Sequence, residues 1–227
     1  VITALTVVFI IGYIFIKGVP NLSLDLFSLK YSSSNQSMLP SIINTVYLTA
    51  LTLLLSVPIG IFSAIYLAEY SRKNSFFVKI INIANETLSG IPSIVYGLFG
   101  FLAFVISKKW GYSLLAGVIT LAIMVLPLII RTSQEAMLGV DNTFREASYG
   151  LGAGKLRTVF KIVLPSAMPG ILSGIILAIG RIVGETAALI YTAGTVPEAA
   201  TKLTSSSRTI SVHLYCLLNE GLYTCLL

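Results

Sequence analysis

Apolar runs alternate with short polar stretches along the whole chain. Val1–Ile16 is apolar and predicts a helix; Lys17–Pro40, with Gly18, Pro20 and Ser32-Ser33-Ser34-Asn35, predicts a loop. Ser41–Ala68 is a second apolar run, in which Pro58 and Gly60 predict a kink. Glu69–Lys79 is a short charged connection with Arg72, Lys73 and Lys79. A third run, Ile80–Ile106, is broken by Gly90-Ile91-Pro92, and a loop over Ser107–Tyr112 follows, with Trp110 placed as an interfacial anchor. Ser113–Ile130 is the fourth run and carries Pro127 near its end. Arg131–Pro165 is polar, Ser166–Tyr191 is the fifth run, Thr192–Thr209 is a polar loop, and Ile210–Asn219 predicts a short interfacial helix. A helix needs about 20 apolar residues to cross a bilayer, so the second to fifth runs qualify. Val1–Ile16 falls short, and His213–Leu227, with Asn219 and Glu220, stops too early for a full span; both ends read as cut. No small-residue cleavage site follows the first run, so a signal peptide is not expected.

Composition agrees with the pattern. Of 227 residues 56% are hydrophobic and 11% charged, with a mean hydropathy of +0.90. Soluble domains carry about 25% charged residues, so the class is an all-α polytopic membrane protein. The net charge of +6 does not indicate nucleic-acid binding, because the basic residues are spread over the loops. The second and fourth connections hold eight of them: Arg72, Lys73, Lys79, Arg131, Arg145, Lys155, Arg157 and Lys161. The first, third and fifth hold six: Lys17, Lys30, Lys108, Lys109, Lys202 and Arg208. The bias is small and puts the second and fourth connections, with the N-terminus, in the cytoplasm. Cys216 and Cys225 are either a disulfide or metal pair or, the favoured reading, two unengaged thiols. His213 has no neighbouring ligand cluster and reads as structural.

The fourth connection has internal order. Thr143 precedes Glu146 by three residues and predicts a capping box. Phe144, Ala147, Ser148 and Leu151 then share one helical face, and Gly150, Gly152 and Gly154 break the helix. Leu156, Val159, Phe160 and Val163 repeat the spacing, and Pro165 is expected to end the second helix. Lys155, Arg157 and Lys161 lie off that stripe. Gly154-Lys155 is not a phosphate-binding loop, since Tyr149 stands where the first glycine is needed and Leu156 where Ser or Thr is needed. No nucleotide site is found in the chain.

This connection resembles the cytoplasmic coupling loop of ATP-binding-cassette importer permeases. The shared pattern is Glu146-Ala147-Ser148, Gly152 after three residues, and Ile162-Val163-Leu164-Pro165 after nine more, with Ser148 replacing the usual second Ala. The resemblance implies a type I importer transmembrane fold and a single permease domain over 1–227, with a coupling loop over 131–165. In that family the loop seats a short helix in a groove of the ATPase subunit and carries its closing motion into the membrane. The implied coupling residues are Glu146, Ala147, Ser148, Gly152, Phe160, Ile162, Leu164 and Pro165.

The fifth run carries Arg181 and Glu185, four residues apart and so neighbours on one face if the helix is continuous. A charge at bilayer depth costs about 2.5–3.5 kcal/mol on insertion scales, so it is seldom idle. The pair is either an internal salt bridge or part of an anion path, with Arg181 meeting the anion and Glu185 tuning its release. Gly180, Gly184, Ala187 and Ala188 leave space beside it, and Gly170 with Gly174 makes a face suited to close helix packing.

Pro92-Ser93-Ile94-Val95-Tyr96-Gly97-Leu98-Phe99-Gly100 and Arg181-Ile182-Val183-Gly184-Glu185-Thr186-Ala187 are similar to the membrane subunits of bacterial phosphate importers, the Pst type. Ala64-Ile65-Tyr66-Leu67-Ala68-Glu69-Tyr70 and Ser113-Leu114-Leu115-Ala116-Gly117 fit the same family, and the A-type subunit better than its C-type sister. Members have six spans, so the first is expected to be shortened and the sixth missing here. The resemblance implies inorganic phosphate as substrate, a bacterial or archaeal inner membrane, and no enzymatic activity in this chain. The implied partners are a C-type sister permease, two ATPase subunits holding ATP and magnesium, and an extracytoplasmic phosphate-binding protein. A permease for another oxyanion such as sulfate or molybdate is the rival within the class. A secondary transporter is the rival outside it, although no convincing internal repeat is visible. A membrane enzyme is a distant third, for want of a nucleophile–base set or a metal cluster.

Overall fold

The computed structural model describes residues 2–21, 24–32, 35–71 and 76–219. Arg72, Lys73, Cys225 and the end expected to lack a sixth span lie outside the described residues. Ten α-helices are described and no strands: α1 Ile2–Gly18, α2 Leu39–Ile65, α3 Phe76–Gly90, α4 Ser93–Gly100, α5 Leu114–Leu138, α6 Asn142–Gly150, α7 Lys155–Thr158, α8 Leu164–Gly184, α9 Ala187–Thr192 and α10 Ile210–Asn219. Widened π turns extend α2 over Tyr66–Tyr70, extend α4 over Phe101–Ser107, and join α7 to α8 over Val159–Val163. Three continuous helices are long and apolar enough to cross a membrane: Leu39–Tyr70, Leu114–Leu138 and Lys155–Gly184. A fourth candidate is the pair Val78–Gly90 and Ser93–Ser107, bent by 99° at the predicted break. α1 and α10 are shorter apolar helices, and α1 buries none of its residues.

α5 is the axis of the bundle. Of its most apolar stretch 61% is buried, against 33% for Leu39–Tyr70 and 28% for Lys155–Gly184. Lipid tails are as apolar as leucine, so helices associate in a bilayer through close packing rather than hydrophobic exclusion. Small residues supply that closeness. A Cβ on Gly60 of α2 would fall 2.6 Å from Ile129 Cγ2, and one on Gly170 of α8 would fall 2.6 Å from Ala136 Cβ. Gly174, one turn on, is pressed against Thr132. The predicted small-residue face of α8 is thus its contact with α5. Behind the bend, a Cβ on Gly97 would fall 2.8 Å from the Ala188 Cα, so the glycine lets α4 seat closely on α9.

Two helix limits differ from the hydropathy pattern. α5 continues from Ile130 to Leu138, because Arg131 and Glu135 pair at 3.0 Å on its surface and polar residues are good helix formers once outside an apolar solvent. Hydropathy marks where the apolar environment ends, not where the helix does. Pro165 does not end a helix either. The chain is helical from Lys155 through Gly184. The π turn before Pro165 shifts the bonding, with the Leu164 N–H donating to the Val159 carbonyl five residues back, and the wider turn accepts a ring that lacks an N–H. The predicted fifth run is in turn interrupted at Glu185 and Thr186, between α8 and α9.

Contacts sort the connections to two ends. Glu69 in the second connection meets Arg145 in the fourth at 2.7 Å. At the other end the Ser113 N–H donates to the Thr192 carbonyl at 3.0 Å, and Leu114 N–H to Ser205 at 2.9 Å. Tyr31 of the first connection packs there on Arg208 and on His213. Connections two and four therefore share one end and one, three and five the other, as spans of alternating direction require.

Candidate functional site

The fourth connection is a compact hairpin standing on the ends of α2, α5 and α8. Its first arm, α6, is capped by Asp141 and not by the predicted Thr143–Glu146 box. The Asp141 carboxylate accepts the Thr143 backbone N–H at 2.9 Å, so the helix starts at Asn142 and Thr143 lies inside it. That backbone bond, followed by the Thr143 side chain, holds the Asp141 carboxyl below its ordinary pKa. The arm ends at Gly150, and Gly152 turns the chain with φ +80°. L-residues rarely adopt that angle, and glycine does so freely.

The two arms are tied by a hydroxyl pair, Ser148 Oγ to Thr158 Oγ1 at 2.8 Å. Ser148 is 4% exposed, so the hydroxyl that replaces the usual alanine methyl has a partner and leaves no buried polar atom unmet. Val159 and Val163 face inward and join Ile65, Met137, Ala167 and Ile171 in one core cluster. Leu156 and Phe160 face outward, at 68% and 40% exposure, and Leu151 at the tip reaches 89%. The predicted stripe of Leu156, Val159 and Phe160 is therefore split between the spans and open space. Between the arms lies a groove of about 660 Å³, with Phe144, Ala147 and Leu151 on one wall and Arg157, Lys161 and Ile162 on the other. Glu146 and Ala147 are exposed, Ile162 and Leu164 half-buried, and Pro165 exposed. The result is an apolar concavity with a cationic rim.

Arg145 anchors the hairpin. Its Nη2 and Nε donate to Glu69 Oε1 at 2.7 and 3.1 Å, and Nη2 also to the Met137 carbonyl at 2.8 Å. Nη1 donates to the Val140 carbonyl at 2.7 Å. The two side chains are 12% and 7% exposed. Nothing in the spacing of the sequence pairs these residues, which stand 76 positions apart.

The second predicted cluster lies at the α8–α9 break. Arg181 and Glu185 do not form the salt bridge that a continuous helix would allow. Glu185 is extended, with φ −74° and ψ 132°, and its carboxylate accepts the Ala188 N–H at 3.1 Å at the start of α9. A buried acid is thus satisfied by backbone, and Arg181 remains half-buried with no ion pair among the described residues. A Cβ on Gly180 or Gly184 would meet no atom within 4 Å, so one side of the cluster is open. Ala188, by contrast, is filled in against Gly97. Tyr96 stands near Arg181, and its hydroxyl donates to the Leu88 carbonyl at 2.8 Å, pinning the bend between α3 and α4.

At the far end Asn44 of α2 bonds the Glu198 and Arg208 carbonyls at 2.9 and 3.2 Å and accepts the Ala200 N–H at 2.8 Å, binding the fifth connection to the bundle. Arg208 is 3% exposed, 4.6 Å above the Tyr31 ring, and His213 is 1% exposed with its ring edge-on to Tyr31. Asn44, a lone amide in an apolar run, was the one sequence signal of this clamp.

Residues 56–212 match the family described as "Binding-protein-dependent transport system inner membrane component". The chain is 37% identical over 195 residues to a Bacillus subtilis protein named "Probable ABC transporter permease protein YqgI", covering 85% of this chain and 66% of that one. It is 38% identical over 179 residues to the Haemophilus influenzae "Phosphate transport system permease protein PstA", covering 78% and 63%. It is 41% identical over 154 residues to "Phosphate transport system permease protein PstA 2" of Mycobacterium bovis, covering 68% and 50%. The chain spans between half and about two thirds of the length of these relatives.

Proposed function

Because the chain belongs to the binding-protein-dependent transport system inner membrane components, multi-pass permeases of ABC transporters, we propose that it forms half of the membrane pathway of an ATP-driven phosphate importer. Its partners are then a C-type sister permease, two ATPase subunits that hold ATP and magnesium, and an extracytoplasmic phosphate-binding protein. The chain itself carries no hydrolytic chemistry. The hairpin of the fourth connection, with Glu146, Ala147, Ser148 and Gly152 on its first arm and turn and Phe160, Ile162, Leu164 and Pro165 on its second arm, is the part that meets the ATPase, and its groove is the seat. Phosphate is favoured over sulfate and molybdate by the names of the relatives and by the third- and fifth-run motifs.

The observation that carries the anion path is Arg181, a cation within a spanning helix, without a carboxylate partner among the described residues and beside open space. Phosphate bears one to two negative charges near neutral pH, and desolvating it needs a compensating cation. Glu185 keeps negative charge nearby, which limits how tightly an anion is held. Removing Arg181 strands no acid, because Glu185 is already bonded to the Ala188 N–H. Arg181→Gln in the full complex, reconstituted in vesicles, should keep assembly and lose at least about tenfold of ATP-dependent phosphate uptake, the size of one lost charge-assisted bond. Wild-type uptake should be competed by phosphate and not by sulfate or molybdate, and an ion gradient should not replace ATP. Normal uptake in Arg181→Gln sinks the anion assignment, and competition by sulfate or molybdate sinks phosphate as substrate.

A further inference from the structure

The segment Ala68-Glu69-Tyr70 closes the longest span and sits directly under the hairpin. We infer that Glu69 and Tyr70 are positioning residues that clamp both arms of the hairpin to α2, so that hairpin and span move as one body. This rests on the coupling role proposed above. The π turn Tyr66–Tyr70 sets the geometry, with the Ser71 N–H donating to the Tyr66 carbonyl five residues back. Such a turn re-aims the side chains that follow the helical register. Glu69 reaches the first arm through two bonds from one guanidinium, 2.7 and 3.1 Å, to Arg145. Tyr70 reaches the second arm, with Lys155 Nζ 4.9 Å from its ring centre.

The ion pair is the stronger of the two. It is nearly desolvated, and the Arg145 fork is also bonded to the Met137 carbonyl in the last turn of α5 and to the Val140 carbonyl just beyond it. A planar fork held at four points has one orientation, which a screened surface pair would not have. α5 is the bundle axis, so Arg145 joins the hairpin to α2 and α5 together. A push on the groove is then delivered to both spans without slack. The cation–π contact is more exposed and serves to stop the hairpin from rocking about Arg145.

The test uses the complete complex in proteoliposomes, with phosphate uptake and ATP hydrolysis measured together. Glu69→Gln keeps the shape and the carbonyl bonds of Arg145 and removes the charge. It should assemble and hydrolyse ATP normally while uptake per ATP falls about tenfold, within the range of coupling between distant sites. Glu69→Asp, which keeps the carboxylate, should recover most of the loss, and Tyr70→Leu should lose less than Glu69→Gln. An unchanged uptake-to-hydrolysis ratio in Glu69→Gln overturns the inference. Failure of Glu69→Gln to assemble also overturns it, because the pair would then be a folding lock. A second readout does not depend on transport: spin labels at Tyr66→Cys and Thr143→Cys, with Cys216 and Cys225 replaced by serine, report the distance between span and hairpin. The distribution should be narrow in the parent, broad in Glu69→Gln and narrow again in Glu69→Asp. A parent complex without ATP-driven uptake would sink the transport reading while this distance test still decides the clamp.

Discussion

At Gly152 the backbone angle of +80° leaves space but narrows the choice of residue. A Cβ there would meet no atom within 4 Å, so the obstacle to substitution is conformational and not steric crowding by neighbours. The left-handed region costs an L-residue about 1–2 kcal/mol. Gly152→Leu should therefore insert normally, distort the tip of the hairpin and lose uptake, as measured by transport and by co-purification of the ATPase. Gly152→Asn tolerates the angle and should retain most of both. Equal loss in the two variants would show that side-chain bulk, and not the backbone, matters. Ser148 makes a related point at the same scale. Its neighbour in space, Thr158, turns what looks like a departure from the family pattern into a strut between the arms.

Pro165 acts on a whole element. A proline inside a helix removes one donor and crowds the carbonyl four residues back, which here belongs to Lys161. The π turn Val159–Val163 absorbs that crowding and fixes how the hairpin is rotated on α8. Pro165→Ala restores the N–H and lets the turn relax to α geometry. One residue of helical register is about 100° of rotation, so Val159 and Phe160 would exchange inward and outward directions in part. Labelling of Phe160→Cys should fall and labelling of Val159→Cys should rise when Pro165→Ala is added, with membrane insertion unchanged. If neither moves, the wide turn is held by the packing of Val159 and Val163 and not by the proline. The bend between α3 and α4 follows the same logic with a different device: Pro92 breaks the helix and Tyr96 fixes the angle by bonding back to Leu88.

For the whole molecule, the decisive arrangement is the sorting of connections to opposite ends. It puts Leu151, at the hairpin tip, and Leu203, in the fifth connection, on different sides of the membrane, and both are exposed, at 89% and 48%. A membrane-impermeant maleimide added to intact cells should label Leu203→Cys and leave Leu151→Cys untouched until the membrane is opened. Addition of the ATPase subunits to opened membranes should then protect Leu151→Cys and Phe160→Cys without affecting Leu203→Cys. Labelling of Leu151→Cys in intact cells would invert the orientation and remove the coupling assignment with it.

The sequence by itself determined the class, the order of apolar runs and polar connections, and the hairpin motif. Each depends on local rules: apolar length, glycine and proline positions, and a fixed spacing of Glu146, Gly152 and Pro165. It misplaced the helix ends and the cap, because hydropathy records solvent and not hydrogen bonding, and because Asp141 competes with Thr143 for the same orphan N–H groups. The pairing of Arg181 with Glu185 was a helix-spacing inference, and it failed where the backbone turns extended at Glu185. Only the tertiary structure decided that Glu69 meets Arg145, that Asn44 holds the fifth connection, and that Arg208 stacks on Tyr31. Those contacts join residues far apart in the chain, and which ones meet is set by how closely Gly60, Gly170 and Gly174 let the helices approach α5.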